Sequence, residues 1–192
     1  MSLPTINRED LRFRILKELG GKITSEQAKE TIDLLVTILA AAILNSERII
    51  FTNVGVLQPH FKKERPGTNP RTGKFATVLA RVSYTFNLRS RAGCLYPKIS
   101  THDLAMRMWS NAPWLNQRNA TKVIHIFLKE LAAVRDGKQR IELRGLGSFN
   151  PKVLEAVNGC NPDTGERFVT KPKQTIKFKL GTSIKDLLIV PF

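Results

Sequence analysis

The sequence contains little of what would mark a secreted, membrane or metal-binding protein. Cysteine occurs only twice, at Cys94 and Cys160, and neither has a second cysteine or a histidine at zinc-ligand spacing. The longest uncharged apolar stretch, residues 34–46, has thirteen residues, fewer than the ~20 that span a bilayer. Residues 1–7 lack the basic start and apolar run of a secretory signal. We therefore expect reduced thiols, no metal, no cofactor, no membrane contact and a protein that stays in the cytoplasm.

Acidic residues are also scarce, and the basic residues they leave unbalanced are the dominant property of the chain. Lys and Arg number 31 against 16 Asp and Glu, which gives a net charge of +15 and a pI near 10.3 over 192 residues. An apolar fraction of 42% is enough for a folded core. Such a surplus opposes compactness through self-repulsion and indicates a polyanionic partner, normally a nucleic acid. Charge alone does not distinguish DNA from RNA.

The chain consists of two copies of one unit, offset by 92 positions. The matches hold register over a long stretch, and the densest lie in two proline- and glycine-containing segments, residues 67–73 and 159–165. Upstream, Asp10 aligns with Asp103 at an offset of 93, so the two copies differ by one inserted residue in the loop before the second helix. The repeat predicts units at residues 1–93 and 100–192, joined by a linker at 94–99.

Each copy begins with two predicted helices. Asn7, followed three residues later by Asp10, and Thr24, followed three residues later by Gln27, match the pattern of helix N-caps. Apolar residues then recur at helical intervals. The second copy starts its helices near Ser100 and Asn116, with Pro113 between them. The stretch 34–44 is apolar nearly all round, which a surface helix of a small unit would not tolerate. We therefore expect the long helices to share one core, so that a monomeric chain acts as an intrachain pseudo-dimer.

Strand-like sequence follows the helices and predicts a long β-ribbon in each copy. The runs 48–52 and 140–144 are followed by outgoing and returning strands with a proline-glycine tip between them. The first ribbon is rich in cations and the second carries more acids, so the two should not bind equally. Candidate nucleic-acid contacts in the first copy are Lys62, Lys63, Arg65, Asn69, Arg71, Lys74, Arg81, Arg89 and Arg91. Those in the second are Lys152, Asn161, Arg167, Lys171, Lys173, Lys177 and Lys179.

Pro70 and Pro162 stand at the tips of the two ribbons. A proline there fixes φ for a turn, and turn formation alone would account for it. Proline is also one of the rigid apolar residues that minor-groove proteins insert between base steps to kink a duplex. Because the motif occurs twice, at the ends of basic ribbons, we interpret both prolines as intercalating wedges.

These motifs give the sequence a family resemblance. The segments 65–73, 145–149, 161–165 and 178–181 resemble the HU and integration host factor family of bacterial DNA-bending proteins. The resemblance implies an α+β fold in which each unit has a helical hairpin, a three-stranded antiparallel sheet and a β-arm. It also implies a third helix at 182–188, which we expect to be short or missing in the first copy. The implied partner is double-stranded DNA, bent through minor-groove arms.

The leading hypothesis is a non-enzymatic, nucleoid-associated protein that bends DNA, to compact it or to assist recombination, replication or transcription. The alternative is a scaffold of the same fold that binds RNA or a protein partner without bending DNA. No catalytic or small-molecule site is expected, because His60, His102 and His125 have no metal-ligand or catalytic spacing. Trp109 and Trp114 are expected in the core rather than as base-stacking platforms.

Overall fold

The structure is a computed structural model that describes residues 3–69, 71–88, 95–160 and 163–189. The first copy comprises β1 (Thr5–Ile6), α1 (Arg8–Leu19), α2 (Ser25–Leu44), β2 (Arg48–Phe51), β3 (Gly55–Lys62), β4 (Arg65–Thr68), β5 (Phe75–Val78) and β6 (Arg81–Asn87). The second comprises β7 (Lys98–Ile99), α3 (Thr101–Asn111), α4 (Gln117–Arg135), β8 (Arg140–Leu143), β9 (Gly147–Leu154), β10 (Asn158–Cys160), β11 (Arg167–Val169), β12 (Lys173–Leu180) and α5 (Thr182–Leu187).

The helices begin at the residues that the sequence predicts. Asn7, Thr24, Ser100 and Asn116 each accept backbone N–H bonds through their side chains, and the first three complete a capping box. The first helix ends at Gly20, whose left-handed φ of 55° closes the turn. Helix α3 ends at Asn111, two residues before the proline that interrupts the pattern. Local sequence therefore sets both helical hairpins.

Each copy lends one strand to the sheet of the other copy. The first sheet has the order β6-β3-β2-β7 and the second has the order β1-β8-β9-β12. Three antiparallel strands come from one copy, and the fourth, parallel strand comes from its partner copy. Lys98 and Ile99, placed at the end of the linker by the sequence, form this exchanged strand β7. The predicted α+β pseudo-dimer is confirmed, and reciprocal strand exchange holds its halves together.

One hydrophobic core runs through both copies. Its centre is a row of phenylalanine rings, in which Phe51 of the first copy lies 6.1 Å from Phe127 of the second, centroid to centroid. Phe127 in turn lies 6.2 Å from Phe149, and both ring pairs are edge-to-face. All three rings are almost completely buried. The shared core predicted from the apolar long helix is present, with α1 packed against α4 and α3 against α2.

The two copies fill this core with the same residue types at exchanged positions. The first sheet has Phe51 and Leu57, whereas the positions 92 residues later hold Leu143 and Phe149. All four side chains are about 1% exposed. At these two positions each sheet therefore contributes one phenylalanine and one leucine, which keeps the packed volume constant although the sequences differ.

Ion pairs also join the halves. Arg107 on α3 donates two hydrogen bonds of 2.8 and 2.9 Å to the Glu47 carboxylate, and these bonds raise the pKa of Arg107. Arg14 pairs with Glu130, a buried carboxylate that also accepts a 2.7 Å bond from Gln139. A buried charge with two partners is satisfied, so this contact fixes how α1 lies against α4.

The third helix is present in the second copy as α5, and Leu188 beyond it accepts a bond from the backbone of Val82 in the first copy. The region of the first copy that was expected to lack this helix lies largely in residues 89–94, outside the described residues. The prediction for Trp109 was wrong, because its side chain is 44% exposed. Trp114 is half-buried against the core and donates a 3.2 Å bond to Thr31 across the halves.

Candidate nucleic-acid interface

Each sheet has one face packed on the helices and one face turned away from them, which we call the outer face. Directly paired residues of an antiparallel ladder share a face, and faces alternate along a strand. The pair Phe149 and Phe178 is buried in the core, so the neighbouring pair Ser148 and Lys179 lies on the outer face. In the first sheet, Leu57 and Phe86 are buried in the same way. These registers assign every strand residue to a face.

Both ribbons extend from the sheets without a shift in register. In the first copy Lys62 pairs with Arg81 in the sheet, and three residues further along both strands Arg65 pairs with Val78 in the arm. The second copy behaves alike, since both strands advance by four residues from the pair at Leu154 to the pair at Asn158. The alternation of faces therefore continues from each sheet into its arm.

The cations of the second copy lie on one face. Arg167, Lys173, Lys177 and Lys179 alternate along the returning strands, and Lys152 pairs with Thr175 on the same side. All five are exposed, and all five are on the outer face. The sequence assigned Lys177 and Lys179 to the second arm, but they lie on β12 within the sheet. Lys171 is exposed in the segment between β11 and β12.

The first copy distributes its charge differently. Its outer face near the core is polar and uncharged, with Gln58 paired to Thr85 and His60 paired to Ser83. Cations begin at the root of the arm and continue to its tip. The residues concerned are Lys62, Lys63, Arg65, Arg71 and Lys74, all exposed, and the half-buried Arg81. The first copy thus concentrates positive charge in its arm, and the second concentrates it on its sheet. The two copies therefore differ in where their cations lie, beyond the expected difference in the number of charges on the arms.

The two sheets meet along β6 and β12 and leave a cleft between the arm roots. The cleft has a volume of about 730 Å³, and Lys62, Lys152 and Lys177 are among its lining residues. Tyr84 on β6 lines the cleft on the side of the first sheet, and its hydroxyl donates a 2.9 Å bond to the carbonyl oxygen of Ile43 on α2. Burial, with a smaller contribution from Glu47, raises the pKa of this phenol, so it stays neutral.

The arm tips carry the turn chemistry that the sequence predicts. Asn69 accepts bonds at its side chain from Arg71 N, 3.0 Å, and at its carbonyl from Gly73 N, 2.9 Å. Gly73 and Gly165 have φ of 66° and 71°, the left-handed region that favours glycine. Pro70 and Pro162, the predicted wedges, lie outside the described residues, as do Asn161, Arg89 and Arg91. Their roles stay predictions.

The sequence reasoning missed two basic residues beside the second sheet. Arg140 and Arg144 line a concavity of about 410 Å³ together with Lys179 and the acidic Glu142. The run Arg140 to Arg144 alternates charged and apolar residues, which is the signal that could have placed the three charged side chains on one face. Arg140 also donates a 2.6 Å bond to the hydroxyl of Thr5 on the exchanged strand β1.

The histidines do not converge. His60 lies on the first sheet, with its Nε2 2.6 Å from the Thr85 hydroxyl, and His125 is exposed on α4. Within the described ranges no group of three His, Cys, Asp or Glu side chains could hold a metal ion. Across the same ranges, no helix combines the length and apolarity needed to cross a bilayer.

The chain is thus a two-armed protein, in which two basic β-ribbons extend from a helix-backed pseudo-dimer. A family model described as bacterial DNA-binding protein matches residues 6–91 and again residues 99–188. The chain therefore belongs to the bacterial DNA-binding protein family and carries two tandem HU units. Among solved structures, an Anabaena HU–DNA cocrystal structure is similar at 20% identity and a TM-score of 0.43, covering 48% of this chain and 100% of that one.

Proposed function

We propose that the protein is a non-enzymatic, nucleoid-associated architectural factor that bends double-stranded DNA across the cleft between its two arms. The observation that carries this proposal is the single outer face, which runs from both sheets into both arms in unbroken register and is cationic at the arm roots. A curved polyanion can contact such a face over more phosphates than a straight one. The units at 1–93 and 100–192 supply one arm each.

Affinity in this proposal comes from the phosphates. For each phosphate that a lysine or arginine neutralises, log K for binding falls by about 0.9 per tenfold rise in salt concentration. Bending a short site costs about 1–6 kcal/mol, which the additional contacts offset. Because ribbons in the minor groove meet few distinguishing base edges, preference among sequences follows deformability and groove width.

The two prolines at the arm tips supply the kinks. In the sequence, Pro70 and Pro162 fall between the outgoing and returning strands of each arm, three residues before Gly73 and Gly165, whose positive φ suits a turn. A pyrrolidine ring is rigid and apolar, and its insertion between base pairs unstacks one step at a cost of a few kcal/mol. One chain then kinks the duplex at two points.

The test is end-to-end FRET on a labelled duplex with the variant Pro70→Ala/Pro162→Ala. We expect a smaller bend angle, with most of the salt-dependent affinity kept, because no cation is removed. The control is Pro172→Ala, which removes an exposed arm proline away from the tips and off the outer face, and should leave the bend unchanged.

An unchanged bend in the tip variant would refute the wedge assignment. Competition among duplex DNA, duplex RNA and single strands separates this function from the scaffold alternative, since preference for RNA would favour the scaffold. A wild-type protein that binds duplex DNA without shortening its end-to-end distance would refute bending itself.

A further inference from the structure

Phe75 is the most exposed aromatic residue in the part of the chain that the structure describes. Its side chain is 92% exposed, against 62% for Phe13 and 49% for Phe168. A phenylalanine buries about 150–250 Å² when it packs, so leaving the ring in water forfeits a large stabilisation. Core packing does not account for this ring, since it lies on an arm that has no core of its own.

The register places Phe75 on the outer face of the first arm, in the last pair of the described ladder. Phe75 pairs with Thr68, and the next pair on the same face is Pro66 with Thr77. Following the alternation inward along the unshifted register leads to Lys62 and Arg81 at the arm root. The ring therefore lies on the side of the ribbon that also lines the cleft between the arms.

Its neighbours are cationic. Lys74 directly precedes it in the chain, and Arg71 lies in the turn that the ladder closes, where Asn69 N donates a 2.9 Å bond to the carbonyl of Lys74. An exposed aromatic ring on a ribbon that also carries cations is the combination that binds nucleic-acid bases by stacking while the charges hold the backbone.

The second arm shows that the ring is particular to the first. The position 92 residues after Phe75 is Arg167, which also lies on the outer face. The nearby Phe168 faces the other way and covers Gly159, where an added Cβ would lie 2.7 Å from the ring. Phe168 thus has a packing role of the kind that protects a strand glycine, whereas in the first arm Val78 takes that place over Gly67.

We propose that Phe75 is a base-stacking residue, through which the first arm binds a base that has lost a stacking neighbour at a gap or an unpaired position. This inference rests on the proposed function, because the arm must lie in the minor groove for the ring to reach a base. An intact duplex offers no free base surface without prior unstacking, whereas a gap exposes one at no cost. Arg167 at the matching position contacts phosphate or groove edge instead, so the first arm occupies the damaged side of the site.

The experiment compares affinities for an intact duplex and for the same duplex with a one-nucleotide gap. Wild type is expected to prefer the gapped duplex, and Phe75→Ala to reduce that preference by about tenfold, within the 5- to 150-fold range of one base–aromatic stack. Phe75→Trp should restore the preference. The salt slope should stay constant in both variants, since the ring neutralises no phosphate. Phe168→Ala is the matched control and should keep the wild-type preference.

A second readout locates the contact directly. Iodouracil placed opposite the gap should crosslink on irradiation to the peptide containing Phe75 and not to the peptide containing Arg167. The inference is overturned if Phe75→Ala keeps the gap preference, if wild type has none, or if the crosslink maps to the second arm. Wild-type FRET on the intact duplex is recorded in the same series, so absence of bending identifies failure of the proposed function instead.

Discussion

Replacing Phe127 by alanine tests whether the two copies form one cooperative unit. The ring is 2% exposed, and it contacts Phe51 in the other copy and Phe149 in its own, at 6.1 and 6.2 Å between centroids. Removing a buried phenylalanine costs about 3–5 kcal/mol through reduced burial and the cavity it leaves. At about 2–4 °C per kcal/mol for a chain of this size, Tm should fall by roughly 6–20 °C.

Calorimetry and circular dichroism should both show a single transition in wild type and in Phe127→Ala, because the ring joins the strands and helices of both copies. The control is Phe13→Ala, the same deletion on a 62% exposed ring that lies against the Arg12 guanidinium, 5.3 Å from its centroid. That variant should be destabilised by less than about 1 kcal/mol. Two separate transitions, with only the second shifted by Phe127→Ala, would refute the shared core.

Two further outcomes follow from charge. Replacing Lys177 and Lys179 by glutamine should lower the salt slope of DNA binding by about 0.9 for each phosphate that is no longer neutralised. The same change at Lys22 and Lys29, on the helical side, should leave the slope unchanged. Equal slopes in the two double variants, measured by titration at several salt concentrations, would contradict the outer-face assignment. Hydrogen bonds at the N-terminus of α3 lower the pKa of Asp103, so its charged form stabilises the fold above the ordinary value of about 3.9, and that stabilisation is lost as pH falls through the depressed value. Urea unfolding should then show a difference between wild type and Asp103→Asn that is constant near neutral pH and disappears in acid; a difference that persists at pH 2 would count against it.

The sequence predicts local structure well because the signals are local. Asn7, Thr24, Ser100 and Asn116 each satisfy the orphan N–H groups of the helix they begin, and this chemistry depends on a few consecutive residues. The repeat adds a second, independent reading of every element. The arms follow for the same reason, since alternation and turn residues recur at matching positions.

What could not be predicted depends on distant pairing. Strands β1 and β7 have two residues each, too few for any periodic signal, and their partners are some 50 to 135 positions away. Trp109 was misplaced because an apolar residue beside a buried helix face can lie on either side of the boundary. The separation of charge between the first arm and the second sheet required the register, which assigns Lys177 and Lys179 to β12.

Reciprocal strand exchange has a consequence for how such a chain can change over generations. A subunit that forms a homodimer has two identical arms, so every substitution changes both of them. Here the two halves exchange strands within one chain, so a mutation alters one arm and leaves the other unchanged. Phe75 and Arg167, which differ at matching positions of the two arms, show that the arms of one chain can specialise separately.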